Sequence, residues 1–257
     1  MIFYWGGRNW EQANFYRENN SSVAILVCGG PSMNRIDLSK LKGPGKVVVG
    51  MNNTYPKVLP DMWIGMDHPH CYSSSLTFES FPKFFRGGFH RHKYVTENTE
   101  VDVWAQNSVF YVNVAQGYYV DMKRRAENRK SENLVWTGNS FTFAFSLLYY
   151  MGFRKVYLVG CDLDNSTSDY HNDIELTEKQ KDWNAHLYKH LYGFLTWMKN
   201  INFDEGFLEV VSMSPMSRIN DLFPYKSIEE LNAEINNNIP KQLNYVHSSD
   251  IDKIGKE

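Results

Sequence analysis

The chain has 257 residues, of which 42% are hydrophobic and 15% aromatic, which is enough to bury the core of one large domain or two small ones. Its 27 basic and 29 acidic residues give a net charge of −2, so there is no general positive field to hold nucleic acid or an anionic membrane. No window approaches the roughly 18 apolar residues of a membrane span, and the N-terminus does not read as a signal peptide. We expect a globular protein with no nucleic-acid partner and no membrane span.

The cysteines indicate a reducing compartment. Cys28, Cys71 and Cys161 are an odd number without metal-site spacing, and two of them lie inside apolar runs. We therefore predict reduced thiols and a cytoplasmic location.

The first half of the chain predicts a series of buried strands. Residues 1–21 are aromatic and polar without a clear period, and we expect an N-terminal extension, a strand and a helix, packed on the edge of the core. SVAILVC at 22–28 is a short, continuous apolar run, as in a strand buried on both faces of a parallel sheet. After a segment of helical length, 33–41, further strands are predicted at 46–50, 63–66 and, more weakly, 109–114.

The second half alternates helix and strand more clearly. An apolar helix at 139–151 ends at Gly152, a buried strand follows at 155–163, and a strand at 208–212 precedes a helix at 227–235. This alternation predicts an α/β, Rossmann-like fold: a doubly wound, mostly parallel sheet with helices on both faces. We assign 22–235 to this Rossmann-like domain, 164–182 to a lid-like loop within it and 236–257 to a C-terminal tail.

The turn after the first strand is a candidate phosphate cradle. Gly29 and Gly30 allow close backbone approach, Pro31 stiffens the turn, and Ser32 is the predicted N-cap of the next helix. Exposed amides at a helix N-terminus suit a phosphate. A tight turn without a ligand is the alternative.

Amides follow the second strand where a dinucleotide-binding domain would place an acid. Asn52 and Asn53 argue against a nicotinamide cofactor and suit hydrogen bonds to a sugar or base. The alternative is a simple asparagine turn before Pro56.

Two further polar turns are predicted at the same edge of the sheet. The first is a second place for a phosphate or ribose, with plain helix capping as the alternative. It comprises Thr137, Gly138, Asn139 and Ser140. The second contains Ser214 and follows the last strand.

The acidic pair Asp162 and Asp164 is a candidate metal site. If the chain is still extended there, both carboxylates point to one face and could hold Mg²⁺ or Mn²⁺ on a diphosphate. Alternatively, Asp162 orients the neighbouring loops and Asp164 is solvated.

The polar loop beyond these aspartates supplies the candidate general base. His171 lies beside Tyr170, and a histidine titrates close to neutrality. His186 is the other candidate; it lies four residues from His190 on a predicted helix, where plain helix positions are the alternative.

The order of these motifs resembles a known superfamily. GGPSM with IDLSKL, the asparagine after the second strand, TGNS with its apolar helix, VYLVGCDL and SMSPMSRINDLFPYKSIEEL occur in sequence over about 22–230. One branch contains bacterial sialyltransferases that use CMP-sialic acid, and the other contains archaeal hydroxymethyl-dihydropterin diphosphokinase-like proteins. The TGNS helix and the FPYKSIEEL ending are most similar to the uncharacterised bacterial and phage relatives.

The resemblance implies a nucleotide site and a histidine base. The positions that would surround the nucleotide are Gly30, Pro31, Ser32, Asn52, Asn139, Ser140 and Tyr170. His171 and His186 both remain candidates for the base, and no motif decides between them.

Three hypotheses follow. The first is a nucleotide-dependent transferase, a sialyltransferase-like glycosyltransferase that uses a nucleotide-activated sugar and a small-molecule or glycan acceptor. The second is a metal-dependent diphosphokinase that transfers pyrophosphate from ATP to a pterin-like alcohol. The third is a non-catalytic nucleotide-binding module, because no arginine lies between Lys130 and Arg154, where the sialyltransferase branch has one. The oligomeric state stays open.

Overall fold

The structure is a computed structural model that describes residues 2–15, 23–89, 93–95, 100–103, 106, 108–118, 120–128, 133–164, 177–205 and 207–237. The strands are β1 (Ile2–Trp5), β2 (Trp10–Ala13), β3 (Val23–Val27), β4 (Lys46–Met51), β5 (Met62–Gly65), β6 (Lys83–Arg86), β7 (Lys93–Val95), β8 (Glu100–Asp102), β9 (Val109–Val112), β10 (Val114–Gln116), β11 (Leu134–Trp136), β12 (Lys155–Val159) and β13 (Glu209–Ser212).

The helices are of two kinds. The α-helices are α1 (Val120–Glu127), α2 (Ser140–Tyr150), α3 (Glu178–Glu205) and α4 (Ile228–Asn237). Short 3₁₀ helices lie at Pro31–Arg35, Leu38–Leu41, Asn52–Thr54, Pro69–Cys71, Ser74–Phe78, Gly87–Phe89 and Arg218–Asp221. No α-helix in the described ranges has the length and apolar content needed to cross a lipid bilayer.

A nine-stranded sheet organises the molecule. Its strand order is β13-β12-β3-β4-β5-β6-β9-β1-β2. The neighbouring strands from β13 to β9 are all parallel, whereas β1, near one edge, is antiparallel to both of its neighbours, β9 and β2. The chain builds outward from β3 to β9 and then returns to the other side of β3 with β12 and β13. The predicted Rossmann-like, doubly wound fold is confirmed.

Both faces of the sheet are covered. On β3, Leu26 packs into the cluster that contains helices α1, α2 and α3, while Ile25 and Val27 pack into the cluster that contains α4. Because successive side chains of a strand point to opposite faces, a continuous apolar run such as VAILV is what a doubly covered strand requires. Helix α2 is buried almost all round because α1, α3 and β5 contact it.

Several local predictions are corrected. The segment 33–41 is not one α-helix but parts of two 3₁₀ helices, Pro31–Arg35 and Leu38–Leu41. The described part of the N-terminal extension is the β1–β2 hairpin, whose aromatic rings pack on β9. Strand β6, which lies between β5 and β9 in the sheet, was not predicted from the sequence. Most of the predicted C-terminal tail lies outside the described residues.

Candidate functional site

The strand order reverses between β3 and β12, and the turns after these two strands lie side by side. The Cys28 N–H donates to the Val159 carbonyl at 2.7 Å, and the Gly30 N–H donates to the Gly160 carbonyl at 2.8 Å. In doubly wound sheets, ligands bind outside the carboxyl ends of the strands at such a reversal. We call the two turns, 28–32 and 160–164, the central turns.

The central turns approach each other so closely that glycine is required in both. A Cβ on Gly30 would lie 2.5 Å from both the Asp162 Oδ2 and the Gly160 carbonyl oxygen. Gly160 has φ of +68°, and a Cβ there would lie 2.4 Å from the Cys28 carbonyl oxygen.

Asp162 occupies the position that the sequence suggested for a phosphate. Its Oδ2 accepts a hydrogen bond from the Ser32 N–H at 2.8 Å. The N–H groups of Gly30 and Met33 also have protein acceptors. The prediction of free, exposed amides in this turn is therefore wrong for these three residues, because protein oxygens already satisfy them.

Ser32 is not a helix N-cap. The 3₁₀ helix begins at Pro31, so its N-cap is Gly30, and Ser32 lies inside the helix. The Ser32 side chain is buried, and its hydroxyl has no hydrogen-bond partner among the described residues. Pro31 at the first helical position fits its fixed φ and missing N–H.

The geometric premise for the two-aspartate metal site does not hold. Strand β12 ends at Val159, and Leu163 between the two aspartates has φ of +51°, so the chain is not extended there. Asp162 points to Ser32, and Asp164 is exposed. Among the described residues, no group of three or more His, Cys, Asp or Glu side chains is arranged to hold a metal ion.

Ser214 forms a hydrogen bond to one of the central turns. Its side chain is fully buried, and its hydroxyl accepts the Cys161 N–H at 3.1 Å. The neighbouring Ser217 hydroxyl donates to the Cys161 carbonyl at 2.6 Å. This contact of the Ser214 side chain is therefore structural, and its predicted contact with a nucleotide stays a prediction.

The two buried thiols lie in the same central region. Cys28 and Cys161 belong to one buried cluster, and hydrogen bonding with Cys28, together with burial, raises the pKa of the Cys161 thiol. Cys161 is therefore a neutral thiol, and both side chains pack as small apolar groups. The described cysteines form no disulfide, and Cys71 is exposed.

Asn52 lies at the end of β4 in a left-handed conformation with φ of +52°. Its carbonyl accepts the Trp63 indole N–H at 2.8 Å, and its Oδ1 faces the Tyr72 hydroxyl at 3.4 Å. Burial and then the nearby Asp67 carboxylate raise the pKa of Tyr72, so its hydroxyl remains a donor. Asn52 is partly buried at the carboxyl edge, whereas Asn53 is exposed.

The Thr137–Ser140 segment caps α2, as one of its two interpretations expected. The Asn139 Oδ1 accepts the Thr142 N–H at 2.8 Å, and the Thr137 and Thr142 hydroxyls are 2.7 Å apart. Gly138 has φ of +98° and open space on its Cβ side. Because α2 ends next to the start of β12, its N-terminus lies at the carboxyl edge of the sheet, and the Asn139 Nδ2 has no partner among the described residues.

The candidate base residues remain predictions. Tyr170 and His171 lie outside the described residues, as does most of the lid-like loop. His186 and His190 are exposed on α3.

Sequence reasoning missed Arg86 at this edge. Arg86 ends β6, and its guanidinium carbon lies 4.3 Å from the centre of the Trp136 ring at the end of β11. The available signal was an arginine directly after the apolar pair of KFFR, but this short run was not identified as a strand. The candidate site therefore extends beyond the central turns to Arg86.

Structural similarity to solved proteins is broad, but sequence identity is low. The MAf glycosyltransferase from Magnetospirillum magneticum AMB-1 aligns with a TM-score of 0.48 and 12% identity, over 93% of this chain and 40% of that one. The monofunctional alpha-2,3-sialyltransferase Cst-I from Campylobacter jejuni aligns with a TM-score of 0.48 and 14% identity, over 95% and 96%. The sialyltransferase CST-II, in a complex with a trisaccharide acceptor and CMP, aligns with a TM-score of 0.43 and 13% identity, over 81% and 88%.

The chain thus spans less than half of the MAf glycosyltransferase. No protein-family model matches the sequence, and no curated protein matches it. At these identities and TM-scores we take no functional assignment from the similar structures.

Proposed function

We propose that the chain is a nucleotide-dependent transferase, a glycosyltransferase that uses a nucleotide-activated sugar. The observation that carries the proposal is the position of polar segments from separate parts of the chain at one edge of a doubly wound sheet. Asn52, the Thr137–Ser140 segment and the central turns all lie at carboxyl ends of strands or at the N-terminus of α2. This edge is where such folds bind nucleotides.

The central turns would form the floor of the site rather than a phosphate cradle. The N–H groups of Cys28 and Gly30 are already bonded to protein carbonyls, and Asp162 accepts the Ser32 N–H. Asn52 is the better candidate for nucleotide contact, because its Nδ2 group has no acceptor among the described residues. The base would be His171 or His186, which deprotonates the acceptor hydroxyl.

No specific observation favours the ATP-dependent diphosphokinase. That reading needs two aspartates on one face for a divalent ion, and the left-handed Leu163 breaks this arrangement. We therefore do not propose it.

Calorimetric titration tests the proposal. CMP, CDP, UDP, GDP and ATP would each be titrated with and without Mg²⁺ or Mn²⁺, beginning with CMP because the sequence motifs resemble enzymes that use CMP-sialic acid. Asn52→Asp keeps the shape and tolerance of positive φ but replaces the donor with a carboxylate, so we expect nucleotide affinity to fall about tenfold or more. Asn53→Asp is the adjacent comparison. The absence of binding by any nucleotide at millimolar concentration would refute the proposal.

A further inference from the structure

Arg86 holds a positive charge at the carboxyl edge without a carboxylate partner. The residue is partly buried at the end of β6, where it pairs with Val112 of β9. In the part of the chain that the structure describes, its guanidinium lies over two rings, 4.3 Å from Trp136 and 5.9 Å from Phe89, and makes no ion pair or hydrogen bond. A ring satisfies the face of a guanidinium but leaves the N–H groups around its edge open.

Within the described ranges, the Trp136 ring under Arg86 carries an unpartnered donor of its own. The Trp136 indole N–H is buried and has no acceptor among the described residues, and the same is true of the Asn139 Nδ2 three residues further on. An unsatisfied buried donor costs about 1–3 kcal/mol. The Arg86 guanidinium and the indole N–H of the Trp136 ring against it both lack an acceptor in the described part of the chain, and Asn139 follows Trp136 closely in the chain. A negatively charged acceptor is what these donors have in common.

We propose that Arg86, held against Trp136, binds an oxyanion of the substrate, with the Thr137–Ser140 segment beside it. The guanidinium edge matches the two oxygens of a carboxylate or a phosphate, and the stacked ring fixes its orientation. This inference deepens the proposed function and rests on it only for the identity of the ligand. The oxyanion is either the phosphate of the nucleotide or a carboxylate of the transferred sugar.

The Arg86 site is separate from the central turns. Three strand spacings lie between β3 and β6, which is about 14 Å along the edge. Changing Arg86 therefore leaves the bond between Asp162 and Ser32 untouched, and the two parts of the edge can be tested independently.

Arg154 is a matched control. Its guanidinium also lies 4.3 Å from a ring centre, that of Tyr149, but at the amino end of β12 and thus at the opposite edge of the sheet. In contrast to Arg86, it donates to the carbonyls of Tyr149 and Phe153. A loss of binding caused only by removing a stacked arginine would appear in both variants, whereas loss of an oxyanion site would appear only at Arg86.

The experiment is calorimetric binding of two probe pairs to the wild type, Arg86→Gln and Arg154→Gln. CMP is compared with cytidine, which lacks the phosphate, and N-acetylneuraminate with its methyl ester, in which the carboxylate carries no charge. We expect Arg86→Gln to weaken one anionic probe by about 10- to 100-fold, down to its uncharged counterpart, and Arg154→Gln to leave it unchanged. Circular dichroism checks that each variant is folded. If Arg86→Gln does not fold, Arg86→Lys, which keeps the charge but loses the planar fork, replaces it in the same titrations.

Each outcome is decisive. Loss of CMP binding supports a phosphate at Arg86, and loss of N-acetylneuraminate binding supports a carboxylate. If the wild type binds CMP and neither anionic probe is weakened by Arg86→Gln, the inference is overturned while the proposed function stands. If no nucleotide binds but N-acetylneuraminate binds through Arg86, the oxyanion site stands and the nucleotide function falls. If none of these probes and none of the five nucleotides binds, both proposals fall.

Discussion

Gly30 shows how one absent Cβ lets two strands end in contact. Any side chain there would collide with the Asp162 carboxylate and the Gly160 carbonyl, so Gly30→Ala must push the central turns apart. We expect the hydrogen bond between Ser32 and Asp162 to be strained or lost, and the free energy of unfolding to fall by about 1–3 kcal/mol. Urea unfolding measures this change.

Gly88 provides the control for that substitution. A Cβ at Gly88 meets no atom within 4 Å. The free energy of unfolding of Gly88→Ala is therefore expected to lie within about 0.5 kcal/mol of that of the wild type. If Gly30→Ala were as stable as Gly88→Ala, the close contact of the central turns would be wrong.

At the scale of elements, Glu234 attaches α4 to the parallel sheet. Its carboxylate accepts from Lys155 of β12 at 2.7 Å and also pairs with Lys226. The hydrogen bond from Lys155, followed by that from Lys226, lowers the pKa of Glu234 from 4.5 to about 2. The carboxylate thus stabilises the folded chain above pH 4.5, and this contribution is lost as the pH falls from 4.5 towards 2.

Glu234→Gln is expected to cost about 1 kcal/mol near pH 7, after allowance for solvent screening of a partly exposed pair. The difference from the wild type should shrink as the pH falls below 4.5, because the wild type then loses its charge too. Urea unfolding over a pH series measures both curves. Glu178→Gln removes the pair between a highly exposed carboxylate and Lys181, and should change the free energy of unfolding little. A pH-independent difference for Glu234→Gln would contradict the ionic explanation.

Elements with a strong local signal could be predicted from the sequence, and weak ones could not. VAILV, KVVVG and KVYLV are long apolar runs bounded by glycine or polar residues, and each forms a central strand. The KFFR of β6 has only two apolar residues, and its lysine is fully buried by the fold, with its amine bonded to backbone carbonyls. No local sequence pattern predicts that a lysine will be buried, so the formation of this strand depends on its tertiary contacts.

The same distinction applies to the candidate site. Its backbone turns follow strands and could be located from glycine, proline and asparagine. The partners could not be predicted, because Asp162 and Ser32 are 130 residues apart and Arg86 meets Trp136 only once the sheet is assembled. A sequence indicates which residue types stand at strand ends, but the order of strands decides which of those ends become neighbours.

On the scale of the whole molecule, the cysteines report opening of the sheet. Cys28 and Cys161 are 5% and 3% exposed at the ends of its central strands, whereas Cys71 is exposed. Only a thiolate reacts with iodoacetamide, and burial, then the Asp67 charge, raises the pKa of Cys71. Labelling of Cys71 in the native protein should therefore speed up as the pH is raised.

Cys28 and Cys161 should be labelled together, and only at the rate set by global unfolding. They lie in the central turns, which follow the adjacent strands β3 and β12 and are joined by backbone hydrogen bonds, so we expect neither thiol to become accessible unless β3 separates from β12. Pulsed labelling in increasing urea, with each cysteine quantified by mass spectrometry, should give both the same protection free energy, equal to that of unfolding. Fast labelling of Cys161 alone at low urea would instead show that the turn after β12 opens locally. In that case the central turns would be a moving part of the edge rather than its fixed floor.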